Sequence, residues 1–389
     1  RKRAEIAYDD AQYARPELLW TQRAFVQPLT LCEDRYLYDP VAGEYTVDRY
    51  LDDLDRRYGG IDAVLIWAVY PNIGIDNRNL FDLHRDMPGG LAGLRKMTAD
   101  FHRRDVRVLF PVMPWDAGAR PEGASLWDAA TALMREIGAD GLFGDTMYGL
   151  PRAYRDASDR SGHILALQPE MPLSHEAMIA WNNLSWGARR PEPVPVVSKY
   201  KWIEPRHMVN MCERWARDRT NGLQYAFLNG VGYQSWENVW GIWNQFTPRD
   251  AEALRRIRTL YRDVAELLVS ADWDPHVPTL QSGVYASRFP GKGRTLWLLV
   301  NRTDQDIQAD QFKVKGGGRF FDVWSGAPMS PDTALIPGLE STLNFEIEAR
   351  GYGAILQVLD LDAPDEALSA LLSRMAELSR TRLGSRRNR

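Results

Sequence analysis

The chain has 389 residues, a formal net charge of −4 and an apolar fraction of 44%. This length and composition are typical of a globular protein with about two domains. A slightly acidic chain gives no electrostatic reason to bind nucleic acid, and no apolar run approaches the roughly 18–20 residues of a membrane span. We therefore expect neither nucleic acid nor a membrane as partner.

The two cysteines, Cys32 and Cys212, lie far apart and lack metal-ligand spacing. We interpret them as free thiols rather than a disulfide, which leaves the redox compartment open. The sequence begins with Arg1 rather than Met. If a signal peptide preceded this residue, the expected location is secreted or periplasmic.

Short β-rich apolar runs alternate with amphipathic segments from residue 20 to residue 272. In chain order the predicted strands are 24–29, 63–69, 106–112, 141–145, 164–168, 179–182, 194–200 and 223–228, and the clearest helices are 47–58, 90–104, 125–137 and 248–269. Apolar strands between amphipathic helices indicate a parallel sheet, and about eight such units fit a (β/α)8 TIM barrel. No glycine-rich dinucleotide motif follows the first strand, and no P-loop is present.

The pattern changes after residue 272. Strands without intervening helices are predicted at 282–289, 295–301, 320–324, 342–347 and 352–358, which indicates a C-terminal antiparallel β-sandwich over 273–360. Residues 1–19 are an N-terminal extension, and 361–389 a helical linker or tail. The amphipathic stretch 367–378 predicts either a helix leading to a further domain beyond the C terminus or a solvated tail.

Aromatic residues are abundant, with 14 Trp and 16 Tyr, and many directly follow predicted strands. Aromatic side chains beside carboxylates and amides suit sugar rings, whose C–H faces stack on π-systems while the hydroxyls need hydrogen-bond partners. In a parallel barrel, polar residues at the C-terminal ends of the strands share one mouth. The catalytic residues are therefore expected at that end of the strands.

Asp145 ends the fourth predicted strand, and Glu170 follows the fifth. A buried apolar strand normally avoids Asp because an unpaired buried charge is costly; capping of the next segment is the alternative role for Asp145. Pro169 and Pro172 stiffen the loop around Glu170. The alternative is that Glu170 is an ordinary exposed loop residue. Neighbouring strands lie about 5 Å apart, and two carboxyl groups about 5–5.5 Å apart suit a retaining glycosidase.

Further residues after the strands are predicted to bind substrate. They are Trp67, Tyr70, Asp76, Trp115, Asp116, Lys199, Trp202, Glu204, Trp236 and Glu237. Asp116 and Glu237 also remain candidates for the acid/base. No nucleophile-elbow motif and no zinc-type spacing of His or Cys is present, so we expect no cofactor and no metal.

This arrangement resembles the broad superfamily of retaining α-glycosidases, in which a barrel precedes a C-terminal β-sandwich. The strand-four Asp145, within Asp140-Gly141-Leu142-Phe143-Gly144-Asp145, occupies the position where such families keep their nucleophile. Glu170 looks like the acid/base of alpha-amylase-type and endo-α-N-acetylgalactosaminidase-type enzymes. Near strand six the chain offers no carboxylate, which disfavours the α-galactosidase clan, and Phe143 stands where alpha-amylases have Arg.

The resemblance implies a glycoside hydrolase that cleaves an α-linked oligosaccharide or glycoconjugate, with Asp145 as nucleophile and Glu170 as acid/base. A non-catalytic carbohydrate-binding barrel is one alternative. A polysaccharide lyase or epimerase with Lys199, Tyr200 or Lys201 as base is another. Long loops after strands two and eight favour a pocket or short cleft, and Arg78 and Arg85 suggest a hydroxyl-rich or charged substrate.

Overall fold

The computed structural model describes residues 1–67, 78–115, 120–187, 192–315, 317–329, 340–359 and 365–384. The chain divides into two compact units that interleave along the sequence. The first unit comprises Arg1–Ala188, His207–Arg217 and Gly232–Gln245, and the second comprises Arg189–Arg206, Asp218–Val231 and Phe246–Arg389.

The first unit contains short strands, most of them followed by a helix or a long loop. Its described strands are β1 (Leu29–Leu31), β2 (Tyr38–Asp39), β3 (Glu44–Tyr45), β4 (Ala63–Trp67), β5 (Arg107–Val112), β6 (Gly141–Gly144), β7 (Ala166–Pro169), β8 (Leu184–Gly187), β9 (Met208–Cys212), β10 (Gly232–Gln234), β11 (Asn238–Val239) and β12 (Ile242–Trp243). Its described helices are α1 (Lys2–Glu5), α2 (Val47–Tyr58), α3 (Leu80–Arg85), α4 (Gly90–Arg103), α5 (Leu126–Ile137) and α6 (Arg152–Ser161). Short 3-10 helices occupy Ala11–Ala14, Pro16–Arg23 and Glu176–Ala180.

Eight of these strands run parallel to their neighbours in two sheets. One sheet has the order β1-β4-β5-β6-β7, and the other has the order β10-β9-β8. An isolated parallel bridge between Val26 and Tyr233 joins the two sheets at one seam, where the Gln27 N–H donates to the Tyr233 carbonyl at 3.1 Å. In the part of the chain that the structure describes, no ladder joins β7 to β8, so the predicted barrel is not closed by hydrogen bonds at that seam.

Helix α2 follows directly from its sequence pattern and has the predicted bounds. Tyr50, Leu51, Leu54 and Tyr58 recur at helical spacing and are all buried, so one face packs against the sheet while the other carries charge. The helix ends at Gly59, whose φ of 84° is a left-handed conformation that glycine adopts at little cost. Helices α4 and α5 likewise match the predicted segments to within one residue.

Three predicted strands are wrong, and the first predicted strand, 24–29, shares only Leu29 with β1. Residues 179–182 overlap the 3-10 helix Glu176–Ala180, and the strand that follows this helix is β8. Residues 194–200 are irregular chain that runs into a helix, and the strand is β9. Residues 223–228 belong to the helix Thr220–Asn229, and the strand is β10.

The last of these errors has a clear physical cause. The helix Thr220–Asn229 is buried along nearly its whole length, so its apolar residues form a continuous run instead of one stripe. A continuous apolar run cannot be assigned to strand or helix by periodicity alone. The strand β10, in contrast, has only three residues and carries too little pattern to be recognised.

The second unit is mainly antiparallel sheet. Its described strands are β13 (Asp274–Val277), β14 (Val284–Gly291), β15 (Arg294–Asn301), β16 (Ile307–Lys315), β17 (Arg319–Asp322), β18 (Ala327–Pro328), β19 (Glu340–Ile347) and β20 (Tyr352–Val358). Its described helices are α7 (Lys199–Ile203), α8 (Thr220–Asn229), α9 (Pro248–Asp263), α10 (Ala265–Leu268) and α11 (Glu366–Ser379).

Two antiparallel sheets share one hydrophobic core in this unit. The larger has the order β13-β14-β15-β20-β17-β18, and the smaller pairs β16 with β19. Leu299 and Ile355 of the larger sheet lie in the same buried cluster as Phe312 and Leu343 of the smaller one. The antiparallel strands predicted after residue 272 are therefore present, with β16 as the main strand that the sequence pattern missed.

Helix α11 packs within the second unit. Its N-cap Asp365 accepts a hydrogen bond from the Leu368 N–H, and Leu371 and Met375 are buried. The predicted helix in this segment is confirmed, while a further domain beyond it stays a prediction. Among the described helices, none combines the length and apolarity that crossing a membrane requires.

We expect Leu299→Ala to lower the free energy of unfolding of the second unit by about 3 kcal/mol, because it removes buried methyl groups and leaves a cavity. Leu299 is fully buried, whereas Leu280 of the same unit is 47% exposed. Leu280→Ala is the matched control, with an expected change within about 0.5 kcal/mol. Urea unfolding followed by circular dichroism measures both, and equal effects of the two variants would contradict the shared core.

Candidate active site

Asp145 and Glu170 come together at the C-terminal ends of two neighbouring strands. In the register between β6 and β7, Gly144 pairs with Pro169, so the next residue of each strand is a carboxylate. The backbone holds both in place, because the Asp145 N–H donates to the Val112 carbonyl and the Glu170 N–H to the Gly144 carbonyl, each at 3.0 Å. The sequence predicted that these two residues follow neighbouring strands, and the register places them there.

The turn after β6 is built to hold this pair. A Cβ atom on Gly144 would lie 2.7 Å from the Met147 sulfur and 2.8 Å from Leu150 Cδ1, so the turn has no room for a side chain there. Thr146 has a φ of 58°, a left-handed conformation that costs a threonine roughly 1–2 kcal/mol. In that conformation its N–H donates to Glu170 Oε2 at 2.8 Å. The strained turn thus positions the second carboxylate.

The electrostatics of the pair favour a shared proton. Asp145 is buried, with 3% of its surface exposed. Burial, together with the contact and charge of the neighbouring Glu170 carboxyl, raises the pKa of Asp145 to about 7, against the opposing effects of Trp115 and Arg214. Two carboxyl groups this close do not ionise together at low cost, so one of them retains a proton near neutral pH.

Buried amide side chains lie on or next to the strands of the two parallel sheets. Gln168 lies two residues before Glu170 on the same face of β7, and its Nε2 donates to Asn210 Oδ1 at 3.1 Å. Gln27, Gln168, Asn210 and Gln234 are each no more than 1% exposed. Among the described residues, no hydrogen-bond partner is found for Gln168 Oε1 or for the amide atoms of Gln27 and Gln234. Such groups cost about 1–3 kcal/mol each unless water or a ligand binds them.

Five aromatic side chains form a closed ring of contacts close to the pair. Trp67 contacts Phe143 at 5.7 Å between ring centroids, Phe143 contacts Trp186 at 4.4 Å, and Trp186 contacts Trp236 at 6.1 Å. Trp236 contacts Trp240 at 5.0 Å, and Trp240 returns to Trp67 at 5.8 Å. Because Phe143 lies two residues before Asp145 on β6, this ring belongs to the same end of the sheet. Trp67 and Trp236, both predicted site residues, are thereby brought together.

Trp115 and Arg214 complete the surroundings of Asp145. Trp115 is 45% exposed and acts on the Asp145 carboxyl, lowering its pKa against the effect of burial. The Arg214 guanidinium lies over the ring of Trp236, with Cζ 5.1 Å from the centroid, and its positive charge also lowers the pKa of Asp145.

Glu237 is committed to an ion pair. Its two carboxylate oxygens accept from Arg57 Nη1 at 2.7 and 2.6 Å, and Arg57 also donates to Asp53 at 2.7 Å. Glu237 and Asp53 are both buried. This pair anchors the loop after β10 on helix α2, and a role for Glu237 in substrate binding or as acid/base stays a prediction.

Three predicted site residues, Lys199, Trp202 and Glu204, lie in the second unit. Trp202 is 60% exposed. Glu204 is fully buried and pairs with Arg206 at 2.7 Å. The neighbouring Lys201, a candidate lyase base, donates to the carbonyls of Pro205 and Leu268 at 2.9 and 2.6 Å. Burial lowers the pKa of Lys201 to about 7.

The remaining predicted residues are Tyr70, Asp76 and Asp116, and they lie outside the described residues. In the described ranges, no group of three or more His, Cys, Asp or Glu side chains is arranged to hold a metal ion. Cys32 and Cys212 are both free thiols, as the sequence predicted.

Sequence reasoning missed Phe143, Trp186 and Arg214, whereas Trp240 lies in the long loop that it expected to form part of the cleft. Trp186 is on β8, and Arg214 follows β9, two strands that the sequence pattern misplaced. A usable signal existed for Arg214, since the run Met208-Val209-Asn210-Met211-Cys212 precedes Glu213-Arg214-Trp215. Apolar residues followed by charge and an aromatic ring match the pattern of the other strand ends.

The raised pKa of Asp145 predicts a pH-dependent stability. The folded protein keeps this proton up to about pH 7, whereas the ordinary value for an aspartate is 3.8. Between these values the folded state binds more protons than the unfolded state, so the free energy of unfolding falls as pH rises through the window. We expect Asp145→Asn to be more stable than the wild type at pH 8, by about 2–4 kcal/mol, with the difference vanishing near pH 4.

The control for this experiment is Asp128→Asn. The hydrogen bonds of Ser125 and Arg160 lower the pKa of Asp128, so we expect this variant to lose stability at pH 8. Thermal unfolding at pH 4 and pH 8 measures both variants. A gain for Asp145→Asn of the same size at both pH values would show that packing, and not charge, is responsible.

The Arg57–Glu237 pair predicts a structural role for Glu237. We expect Glu237→Gln to lower the free energy of unfolding by about 2–3 kcal/mol, because the variant leaves a largely buried guanidinium with one carboxylate fewer. Glu340→Gln is the control, since Glu340 is 60% exposed in its pair with Lys313 and exposed pairs contribute about 0–1 kcal/mol. Urea titration measures both, and a Glu237 variant as stable as the control would contradict the anchoring role.

No protein-family model matches the chain, and no curated protein sequence matches it. Solved structures do match. A GH27 β-L-arabinopyranosidase from Geobacillus stearothermophilus aligns with 90% of this chain and 100% of its own, at a TM-score of 0.54 and 12% identity. An alpha-amylase from Geobacillus thermoleovorans complexed with acarbose aligns with 88% of this chain and 99% of its own, at 0.54 and 11%.

A debranching enzyme from Nostoc punctiforme, soaked with acarbose, aligns with 87% of this chain and 99% of its own, at a TM-score of 0.56 and 12% identity. Identities this low establish the fold and nothing finer. The similarity to a GH27 enzyme and to amylases at nearly the same TM-score does not choose between them. The chain thus shares the fold of the TIM-barrel glycoside hydrolases, as its resemblance to barrel glycosidases implied.

Proposed function

We propose that this protein is a glycoside hydrolase and that Asp145 and Glu170 are its catalytic pair. The observation that carries the proposal is the contact between these two carboxyl groups at neighbouring strand ends. Burial, together with this contact, raises the pKa of Asp145. Glycoside hydrolysis needs one carboxyl group that is protonated and one that is ionised beside the same bond. A pair that shares one proton supplies both states.

In the proposed reaction the Asp145 carboxylate attacks the anomeric carbon while Glu170 donates its proton to the leaving oxygen, and the glycosidic C–O bond breaks. Glu170 then accepts a proton from water, the water oxygen bonds to the anomeric carbon, and the ester to Asp145 breaks. The substrate must shift the shared proton onto Glu170 before attack. The positive charge of Arg214 and the effect of Trp115 support this shift, because both favour an ionised Asp145.

The surroundings of the pair suit a sugar. Trp115 is an exposed ring beside the carboxyl groups, and exposed rings stack on sugar C–H faces. Among the described residues, Asp145 Oδ2 and Trp186 Nε1 are buried without a hydrogen-bond partner. Sugar hydroxyl groups are suited to such sites because each donates and accepts hydrogen bonds.

The architecture that we propose for this enzyme is the one that the sequence predicted. We infer that the eight parallel strands form one (β/α)8 barrel over 20–272 and that the antiparallel strands over 273–360 form a sandwich. The glycosidases with which the chain aligns support this inference. The proposed substrate is an α-linked oligosaccharide or glycoconjugate held in a pocket or short cleft.

The test is hydrolysis of a panel of aryl α- and β-glycosides by the wild type, Asp145→Ala and Glu170→Ala. We expect the wild type to cleave at least one α-glycoside and each variant to lose about 10³-fold or more in kcat/KM, since both act on the reacting bond. Asp128→Ala, at the exposed N-terminal turn of α5, is the control and should keep full activity.

Azide assigns the two roles. Azide replaces a missing nucleophile and gives a glycosyl azide of inverted configuration, whereas in the absence of the acid/base it gives the retained configuration. We expect inversion with Asp145→Ala and retention with Glu170→Ala. The opposite result would exchange the roles. Binding of sugars without turnover by the wild type would favour a carbohydrate-binding barrel, and unsaturated products would favour a lyase.

A further inference from the structure

Arg214 is held at the carboxyl pair by a defined set of contacts. Its guanidinium lies over the ring of Trp236, with Cζ 5.1 Å from the centroid, and Trp236 is itself buried. The backbone is fixed as well, because Asn244 Nδ2 donates to the carbonyls of Arg214 and Ala216 at 2.6 and 3.3 Å. The side chain is therefore directed by its neighbours and does not extend freely into solvent.

Other arginines of the first unit have carboxylate partners. Arg57 is bound to Glu237 at 2.6 Å, Arg78 to Asp86 at 2.9 Å and Arg85 to Glu122 at 2.7 Å. In the ranges that the structure describes, no carboxylate lies within 4.0 Å of the Arg214 guanidinium. Arg214, whose charge reaches Asp145, therefore differs from these three arginines in having no carboxylate partner among the described residues.

The charge of the site explains why an arginine without a carboxylate partner matters there. The Asp145–Glu170 pair with one shared proton carries one negative charge, which repels an anionic substrate. A neutral sugar needs no compensating cation, whereas an anionic one does. A guanidinium stacked on an aromatic ring presents parallel N–H groups, and this geometry matches the two oxygens of a carboxylate or a sulfate.

We propose that Arg214 binds an anionic substituent, a carboxylate or a sulfate, on the sugar that Asp145 and Glu170 cleave, so that the substrates are acidic glycans. This inference rests on the proposed function and adds the substrate class to it. Arg214 is then a specificity-determining residue. The competing explanation is that Arg214 only favours ionisation of Asp145, in which case its loss affects every substrate alike.

The experiment compares matched aryl glycosides whose sixth carbon carries a hydroxyl, a carboxylate or an O-sulfate. We expect Arg214→Gln to lower kcat/KM for the preferred anionic substrate by roughly 30- to 100-fold, mostly through KM, because a charged hydrogen-bonded contact is lost. We expect the neutral glycoside to lose a smaller factor in kcat/KM, because it loses only the charge that favours ionised Asp145, so the ratio of anionic to neutral kcat/KM falls. The carboxylate and sulfate substrates show which anion is bound.

Two further variants control this comparison. Arg214→Lys keeps the charge without the planar fork and should retain part of the preference for the anion. Arg217→Gln removes an exposed arginine three residues away and should change neither substrate. An equal loss on neutral and anionic glycosides with Arg214→Gln, or a wild type that cleaves only neutral glycosides, would overturn the inference while leaving the hydrolase intact.

Calorimetry keeps the inference testable if no glycoside is cleaved. The probes are galacturonate, glucuronate and the 6-sulfates of galactose and glucose, with neutral galactose and glucose as references. Binding of an anionic sugar by the wild type but not by Arg214→Gln would support the anion site even though hydrolysis had failed. Binding of none of the anionic sugars would overturn it.

Discussion

The parallel register between β6 and β7 is the constraint on which the proposed site depends. It pairs Gly144 with Pro169, so the carboxylates that follow are separated by little more than the distance between neighbouring strands. Burial then prevents both from ionising at low cost, and a shared proton results. A change of one residue in this register would turn one carboxylate to the other side of the sheet, because side chains alternate along a strand.

Two local features of the turn after β6 depend on this register. The left-handed Thr146 is unfavourable in isolation, yet its N–H reaches Glu170 because of that conformation. Gly144 has a conventional backbone, but the packing of Met147 and Leu150 leaves no space for a Cβ atom. Both features make sense only in a turn that must deliver two carboxylates to one place, which is an argument for function over stability.

Most of the first parallel sheet could be predicted from the sequence because the elements around its strands are regular. Helices α2, α4 and α5 each bury one stripe, so the strands between them stand out as short apolar runs. Asp145 and Glu170 were identified for this reason. After residue 170 the regularity ends, since α8 is buried nearly throughout and its continuous apolar run resembles a strand. Misplaced strands in this part of the chain hid Trp186 and Arg214.

Glu237 illustrates a different limit of sequence reasoning. In a sequence, a glutamate beside a loop tryptophan looks the same whether it binds a sugar or an arginine. Its partner Arg57 lies 180 residues earlier in the chain, and such a pairing has no local signature. Only the three-dimensional position of α2 next to the loop after β10 reveals it.

These contacts connect the surface of the first unit to the chemistry proposed at its centre. Arg57 holds Glu237, and the adjacent Trp236 supports the guanidinium of Arg214. The charge of Arg214 in turn favours ionisation of Asp145. Since each contact is between neighbours in space, a disturbance on α2 can reach the carboxyl pair without any change in the pair itself. The position of the proton that the pair shares therefore depends on the packing of these surrounding side chains as well as on the two carboxylates.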